Sequence, residues 1–261
     1  MMPRENMASL IQKIARQARA TFKNCGSSAL GDGNKVFLEN HVKLRNLLSE
    51  IRAEDLNITP RKVDSTPVSV PQSPPVTYMH ICETDAFSMG VFLLKNGSSI
   101  PLHDHPGMHG MLKVIYGKVR ITCFDKLEDG PATGGGVSGG GGVEVKFNPP
   151  LLPYQRDSVS SSFLRSAGEY TKDNTPCVLT PQRDNLHQIN AVDGPAAFLD
   201  ILAPPYDPDD GRDCHYYQVL EPASSSAESG EQQQHTWLLE IPQPADFWCG
   251  GEPYPGPRVS L

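Results

Sequence analysis

Length, composition and charge place this chain in a broad class and exclude several others. It has 261 residues, with 23 Gly, 24 Pro and a formal net charge of −7. This length allows one or at most two domains with a sizeable core, and the Gly and Pro content predicts many turns and few long helices. The acidic balance argues against nucleic acid or an anionic membrane as partner, and no apolar run is long enough to span a bilayer.

The first 63 residues are predicted to form a helical extension and linker. Apolar residues recur at helical spacing over 5–23 and again over 37–52, and the first segment carries its cations on other faces. We interpret this first segment as a helix packed on the body of the protein. The alternative is a mitochondrial targeting sequence, which is similarly rich in Arg and poor in acid. Residues 25–35 and 64–75 are predicted to be linkers.

From Val76 onward the apolar pattern alternates, which predicts short strands. These strands belong to a second domain, predicted to span residues 64–261. Asn96-Gly97 and Gly117-Lys118 are typical of tight turns, while the Gly-rich residues 130–142 and the polar residues 224–234 indicate surface loops. Many short strands with helices only at the N-terminus predict a mainly β fold, a sandwich or small barrel. The predicted strands are Val76–Glu83, Phe87–Leu94, Ile100–His105, Met111–Tyr116, Val119–Phe124, Val143–Phe147, Cys177–Leu179, Leu186–Ala191, Ala196–Leu202, His215–Leu220 and Trp237–Ile241.

The cysteines indicate a reducing compartment. All six are widely spaced and none forms a CxxC pair, which favours free thiols over a disulfide framework. The N-terminus also lacks the apolar core of a secretory signal. We therefore expect a cytoplasmic protein, and we expect it to be a monomer.

Two histidines at a predicted strand end form the strongest candidate for a metal site. His103 and His105 are two residues apart, so on a strand their side chains project from the same face, while Asp104 points away. Two imidazoles held on rigid backbone make half or more of a site for a first-row metal. The alternative is a pair of surface histidines near a turn.

A mononuclear catalytic site usually needs a third protein ligand. We choose His187 as the third ligand. It lies in a turn leading into a strand about eighty residues downstream, which can bring a ligand to the opposite wall of a sandwich. A half-buried strand histidine without metal is the alternative for this residue. His109 is nearer in sequence, but Pro106-Gly107 turns the chain before it, so it is expected to pack or to lie outside the ligand set. The further candidates are His80, His215 and His235.

The glycines around this pair resemble the first motif of the cupin superfamily. Gly97, five residues, His103-x-His105, four residues, Gly110, six residues and Gly117 reproduce that spacing. Gly110 stands where most metal cupins have a Glu ligand, and the loss of that Glu is expected of the thiol dioxygenases. Segments 103–110, 184–187 and 203–217 are also similar to those of thiol dioxygenases, and the likeness extends from the N-terminal helix to residues 252–257.

The resemblance implies a cupin double-stranded β-helix whose three histidines hold Fe(II). It also implies that both atoms of O2 are added to the sulfur of a thiol, giving a sulfinic acid. The implied substrates share a 2-aminoethanethiol unit: cysteamine, and peptides or proteins with an N-terminal cysteine. In that case oxygen supply would set how fast a regulatory N-terminal cysteine is oxidised.

Four further residues are candidates for catalytic roles. Asp200 interrupts an apolar strand, and it either orients a ligand histidine, meets the ammonium of the substrate, or lies on the solvent side of an edge strand. Tyr206 follows in a Pro-rich turn, where its hydroxyl either donates towards oxygen or substrate or simply packs. Cys214 and Tyr216 share a strand face, and the resemblance implies that they are the counterpart of a Cys–Tyr thioether found in thiol dioxygenases.

Two other functions stay open at this level. Imidazole ligands alone do not select iron over Ni, Mn or Zn, so a cupin enzyme with a different metal is one alternative. A non-catalytic cupin that binds a ligand or partner is the other.

Overall fold

The computed structural model describes residues 8–23, 32–62, 73–127, 138–139, 143–223 and 235–261. The predicted boundary at residues 63 and 64, most of the Gly-rich loop and the polar loop 224–234 lie outside these residues. The division into an extension and a second domain therefore stays a prediction.

Two α-helices come first in the chain. Helix α1 spans Leu10–Phe22, and the Ser9 side chain accepts a hydrogen bond from the backbone N–H of Gln12 at its start. Helix α2 spans Asp32–Glu50 and begins earlier than its apolar pattern predicted. None of the described helices is long and apolar enough to cross a membrane. Three short 3-10 helices follow, at Ala53–Leu56, Pro153–Ser158 and Pro208–Asp210.

Fourteen strands lie within the described residues. They are β1 Val76–Glu83, β2 Ser88–Leu94, β3 Ser99–His103, β4 His109–Tyr116, β5 Lys118–Lys126, β6 Ser138–Gly139, β7 Val143–Glu144, β8 Val159–Thr171, β9 Cys177–Leu179, β10 Leu186–Ala191, β11 Ala196–Ala203, β12 Tyr216–Leu220, β13 His235–Ile241 and β14 Cys249–Gly251.

Twelve of these strands form two sheets of six. The first, sheet I, has the order β14-β1-β2-β11-β4-β9, and the second, sheet II, closes on itself in the order β10-β3-β12-β13-β8-β5. Strands distant in the chain lie side by side, and most pairs are antiparallel, as in a double-stranded β-helix. The prediction of a mainly β, cupin-like barrel with N-terminal helices is confirmed.

The two sheets enclose a core, and the helices cover the other face of sheet I. Side chains of both sheets meet in the inner core, including Phe198 of sheet I and Ile121 of sheet II. Ile11 and Ile14 of α1 are fully buried against the outer face of sheet I. The Gln12 side chain also exchanges two hydrogen bonds with the backbone of Ser260, both 2.9 Å long. Helix α1 is thus packed on the body of the protein, as predicted.

The predicted strands match the observed ones closely, with three omissions and two strands predicted to end too late. Strands β1, β9 and β10 begin and end at the predicted residues. Strands β6, β8 and β14 were not predicted. Strand β3 ends at His103 instead of His105, and only Val143–Glu144 of the predicted strand Val143–Phe147 is regular. Strand β8 begins with Val159 followed by three serines, so its pairing with β5 and β13 holds it in the sheet where its own pattern does not. The five cysteines in the described part of the chain are free.

Candidate metal centre

Three histidines from two strands and one turn meet inside the barrel. His103 ends β3, His105 follows it, and His187 on β10 is the register partner of His103. Their exposed fractions are 8%, 2% and 7%, and their ring centroids are 4.6–4.9 Å apart. One nitrogen of each ring lies within 4.8 Å of the corresponding nitrogens of the other two. Three such nitrogens can bind one ion, so these residues form a three-histidine metal-binding site.

Backbone carbonyl groups fix the orientation of two of the rings. His103 Nδ1 is 2.7 Å from the carbonyl oxygen of Pro101, and His105 Nδ1 is 2.8 Å from that of Asn185. Because a carbonyl oxygen only accepts, each Nδ1 donates its proton and each Nε2 offers a lone pair. Bonds of this kind orient metal-binding histidines and raise their basicity as ligands.

Burial keeps all three imidazoles uncharged. It lowers the pKa of His103 and brings the pKa of His105 to about 3, with the neighbouring His103 as a second cause. Burial and the two neighbouring rings also lower the pKa of His187 far below its usual value. Three neutral donors leave a divalent ion its full charge of +2. This donor set fits iron(II), and by itself it also fits other divalent first-row metals.

The remaining candidate histidines do not belong to this three-histidine cluster. His109 packs between the helices, with its ring centroid 5.3 Å from that of Phe37. His80 is exposed on β1, and His235 on β13 pairs with a serine hydroxyl. His215 lies close to the centre but binds the carboxylate of Asp104. His109 therefore packs, which is one of the two placements that its preceding turn predicted.

Tyr206 lies against the histidine cluster. Its ring centroid is 5.8 Å from that of His105, and its hydroxyl donates a 2.7 Å hydrogen bond to the backbone carbonyl of Asp104. Burial is the main reason that the pKa of this phenol lies well above its usual value, so the hydroxyl keeps its proton. Tyr206 can therefore act as a hydrogen-bond donor beside the centre.

Cys214 and Tyr216 come together on the same side of the site. The phenol groups of Tyr206 and Tyr216 lie beside the thiol of Cys214 and slightly oppose the effect of burial on its pKa. Burial raises the pKa of this thiol to about 11, so it stays protonated at neutral pH. Tyr216 is the register partner of His103, and their ring centroids are 6.4 Å apart. The i, i+2 spacing thus brings this thiol and phenol together beside a metal-binding residue.

Asp200 opens onto a cavity next to Tyr206. It lies on β11, which runs between β2 and β4, so the interpretation as an edge-strand residue is wrong. The cavity has a volume of about 520 Å³, and Tyr78, Glu83 and Cys249 also line it. Among the described residues, no Lys, Arg or His does so. The walls are therefore acidic or neutral, which suits a cationic ligand.

Alternation along β11 directs Asp200 into this cavity. Its neighbours Leu199 and Ile201 are buried in the core beneath the helices, so Asp200 faces the opposite side of the sheet. Gly90 pairs with Asp200, and a Cβ atom there would collide with the ring of Tyr78. Burial raises the pKa of Asp200 to about 7. A bound ammonium group would favour the ionised carboxylate.

Asn185 is a functional residue that sequence reasoning did not assign. Its side-chain oxygen accepts the backbone N–H of His105 at 3.1 Å, and its amide nitrogen donates to the His105 carbonyl at 2.7 Å. With the bond from its own carbonyl to the His105 ring, Asn185 holds this ligand at three points. The sequence indicated it only through its place in segment 184–187, two residues before His187.

Comparisons with known proteins agree with this site. The family model PCO_ADO matches residues 47–259. The chain is 60% identical to 2-aminoethanethiol dioxygenase of Homo sapiens and 61% identical to that of Mus musculus, over 99% of this chain and 99% of each relative. It is 28% identical to plant cysteine oxidase 1 of Arabidopsis thaliana, over 95% of this chain and 80% of that protein.

The chain also has a distant likeness to several solved structures. A cupin superfamily protein from Desulfitobacterium hafniense aligns with 54% of this chain and 94% of its own length, at 11% identity and a TM-score of 0.32. The match to the family model and the identity to full-length relatives are what decide the assignment. This chain belongs to the PCO_ADO family.

Proposed function

We propose that this protein is a non-haem iron(II) thiol dioxygenase. It adds both atoms of O2 to the sulfur of cysteamine, giving hypotaurine, and to N-terminal cysteines of peptides and proteins, giving sulfinic acids. The observation that carries the proposal is the three-histidine site, which Tyr206 connects to a cavity whose only charged described lining residues are acidic. The names of the mammalian and plant relatives agree with both substrate classes.

His103 and His105 would hold the iron through Nε2, and His187 through one of its ring nitrogens. Three protein ligands leave positions open on an ion that binds up to six, and iron(II) supplies the activation of dioxygen next to the sulfur of the substrate. The residues of the chain hold these ligands in place and exclude water. The rings are at most 8% exposed, so the reacting groups meet away from bulk solvent.

Asp200 would receive the ammonium group of the substrate. Cysteamine and an N-terminal cysteine both carry an amine two carbons from sulfur, so an acidic group near the metal can orient both. No described cation lines the cavity to bind the carboxylate of free cysteine. The cavity is also much larger than a two-carbon thiol requires, which leaves space for the chain that follows an N-terminal cysteine.

Tyr206, Cys214 and Tyr216 would complete the site. We assign to Tyr206 a hydrogen bond from its hydroxyl to oxygen or substrate. This phenol stays protonated beside His105, and its one proton would turn from the Asp104 carbonyl to the bound ligand. Cys214 and Tyr216 lie side by side, so a thioether between them is feasible. Its formation would join Cys214 Sγ to a ring carbon of Tyr216, break the S–H bond and one ring C–H bond, and pass the two hydrogen atoms to dioxygen as hydrogen peroxide. We regard it as optional for activity.

The cellular setting follows from the same chemistry. We propose a monomer in the cytoplasm, because every residue assigned to the site comes from one chain and the described cysteines are free thiols. Since dioxygen is a substrate, its supply would set the rate at which a regulatory N-terminal cysteine is oxidised. The protein would then act as an oxygen sensor for the turnover of proteins that begin with cysteine.

Oxygen uptake with four thiols tests this function. We expect the iron-loaded protein to consume oxygen with cysteamine and with a Cys-initiated peptide, and at least about tenfold more slowly with free cysteine, whose carboxylate meets acidic walls. The same peptide with an acetylated N-terminus is the matched control and should be a poor substrate. An iron-loaded protein that consumes no oxygen with any of these four thiols would contradict the proposal. Loading the protein with Ni, Mn or Zn would then test for a cupin enzyme that uses a different metal.

A further inference from the structure

Asp104 stands between two metal-binding histidines, yet its side chain lies on the other face of the strand end. The side chain is 8% exposed, and a buried carboxylate is costly unless charged or polar partners compensate it. The partners it has therefore indicate what the residue stabilises.

His215, directly before β12, and Tyr217 on β12 bind this carboxylate. Oδ1 accepts the backbone N–H of His215 at 2.9 Å and lies 3.1 Å from the Nδ1 atom of the same residue. Oδ2 accepts the hydroxyl of Tyr217 at 2.9 Å, and the ammonium of Lys126 lies 3.9 Å away. The backbone N–H of Asp104 also donates to the carbonyl of His215 at 3.1 Å. The residue is thus attached to β12 through both its side chain and its backbone.

These bonds determine where the side chains of Cys214 and Tyr216 point. Side chains alternate along an extended segment, so anchoring residues 215 and 217 on the face of Asp104 directs Cys214 and Tyr216 to the opposite face, towards the histidines. The 6.4 Å separation between the rings of Tyr216 and His103 agrees with this arrangement.

The carbonyl group of Asp104 holds the third candidate residue. The hydroxyl of Tyr206 donates to it at 2.7 Å, and the same phenol lies beside the thiol of Cys214. Asp104 therefore contacts, directly or through adjacent residues, each of the three groups that lie beside the metal ligands. It is joined covalently to two of those ligands as well.

We propose that Asp104 is a positioning residue that sets Tyr206, Cys214 and Tyr216 at a defined distance from the metal-binding histidines. The inference rests on the proposed function for its activity measurements, but not for its metal-binding measurements. In this account the carboxylate holds the loop between His103 and His105 against β12. Removal of the carboxylate would release both the loop that carries the two histidines and the β12 segment that carries Cys214 and Tyr216.

A graded set of variants tests this role. We expect Asp104→Ala to lower kcat per bound iron about 10–100-fold and to weaken cobalt(II) binding about tenfold, as loss of groups that orient metal ligands commonly does. Asp104→Asn keeps an oxygen for the His215 N–H and should lose about 3–10-fold in kcat. Tyr217→Phe removes one hydroxyl and should lose about 2–3-fold. The d–d absorption of bound cobalt(II) should shift in the same order, since it reports ligand geometry.

A matched control separates positioning from simple loss of stability. Lys113 is 1% exposed and donates to the carbonyls of Lys172 and Asn174 at 2.5 and 2.6 Å, on a turn away from the histidines. Lys113→Met should lower the melting temperature while leaving cobalt(II) affinity and spectrum unchanged within about twofold. The proposal is overturned if the Asp104 variants behave like this control, with lower stability but unchanged cobalt(II) spectrum and unchanged kcat per iron.

Folding failure or a wrong function would not obscure the result. If Asp104→Ala does not fold, Asp104→Asn and Tyr217→Phe still give the two smaller steps of the series. If the wild-type protein oxidises no thiol, the cobalt(II) affinities and spectra still test the positioning role, whereas the proposed function fails by itself.

Discussion

Replacement of His187 by alanine is expected to remove both the metal and the activity. The variant keeps two histidines and lacks the ligand from the opposite wall of the barrel. A mononuclear catalytic site usually needs three protein ligands. Iron content should fall from about one ion per chain to below about a tenth, and turnover should fall at least as far. Metal analysis after dialysis and oxygen uptake with cysteamine give the two numbers.

Histidine 235 provides the comparison for that variant. It is an exposed strand histidine whose ring pairs with Ser161, so His235→Ala should keep iron and turnover within about twofold of wild type. Added metal should raise the melting temperature of wild type and His235→Ala, because a ligand that binds only the folded state stabilises it. A His187→Ala protein that binds iron and turns over like wild type would remove His187 from the ligand set.

Conversion of Asp200 to asparagine should selectively weaken recognition of the amine. The variant keeps the size of the side chain but loses the charge that faces the substrate ammonium. A hydrogen bond to a charged group contributes about 1.5–3 kcal/mol, so kcat/KM for cysteamine should fall roughly 10- to 150-fold. Steady-state oxygen uptake over a range of cysteamine concentrations measures this loss.

A thiol without an amine separates this effect from general damage. With 2-mercaptoethanol, in which a hydroxyl replaces the amine, wild type and Asp200→Asn should have kcat/KM values within about threefold of each other. Glu83 lines the same cavity but is exposed, and Glu83→Gln should cost less than about threefold with cysteamine because water screens its charge. Equal losses with both thiols would mean that Asp200 supports the site in some other way.

The features predictable from sequence were those that depend on local spacing. The two-residue period of β1 and β10 gave their bounds, because one face of each strand is buried. The same period placed His103 and His105 on one face, and Gly97 and Gly117 adopt positive φ at the predicted turns. The choice of His187 needed one further assumption, namely that a long return brings a strand to the opposite wall.

Features that depend on partners distant in the chain were not predictable. Strand β8 contains Ser162, which is fully buried and donates to the Thr236 carbonyl. Serine is mostly exposed in proteins, so the sequence of β8 resembles that of a surface segment. The clamp of Asn185 on His105 joins residues eighty positions apart, and that of Asp104 on Tyr217 spans more than a hundred. Hydrogen bonds of this kind follow from the register of paired strands, and a single sequence does not specify that register.

Isotope labelling tests the central claim most directly. The iron-loaded protein would be mixed without oxygen with a Cys-initiated peptide, exposed to 18O2 in ordinary water, and the product analysed by mass spectrometry. Two labelled oxygen atoms on the sulfur are expected, because a dioxygenase transfers both atoms of one molecule. An unchanged peptide at full iron occupancy, or a product whose oxygen comes from water, would contradict the account.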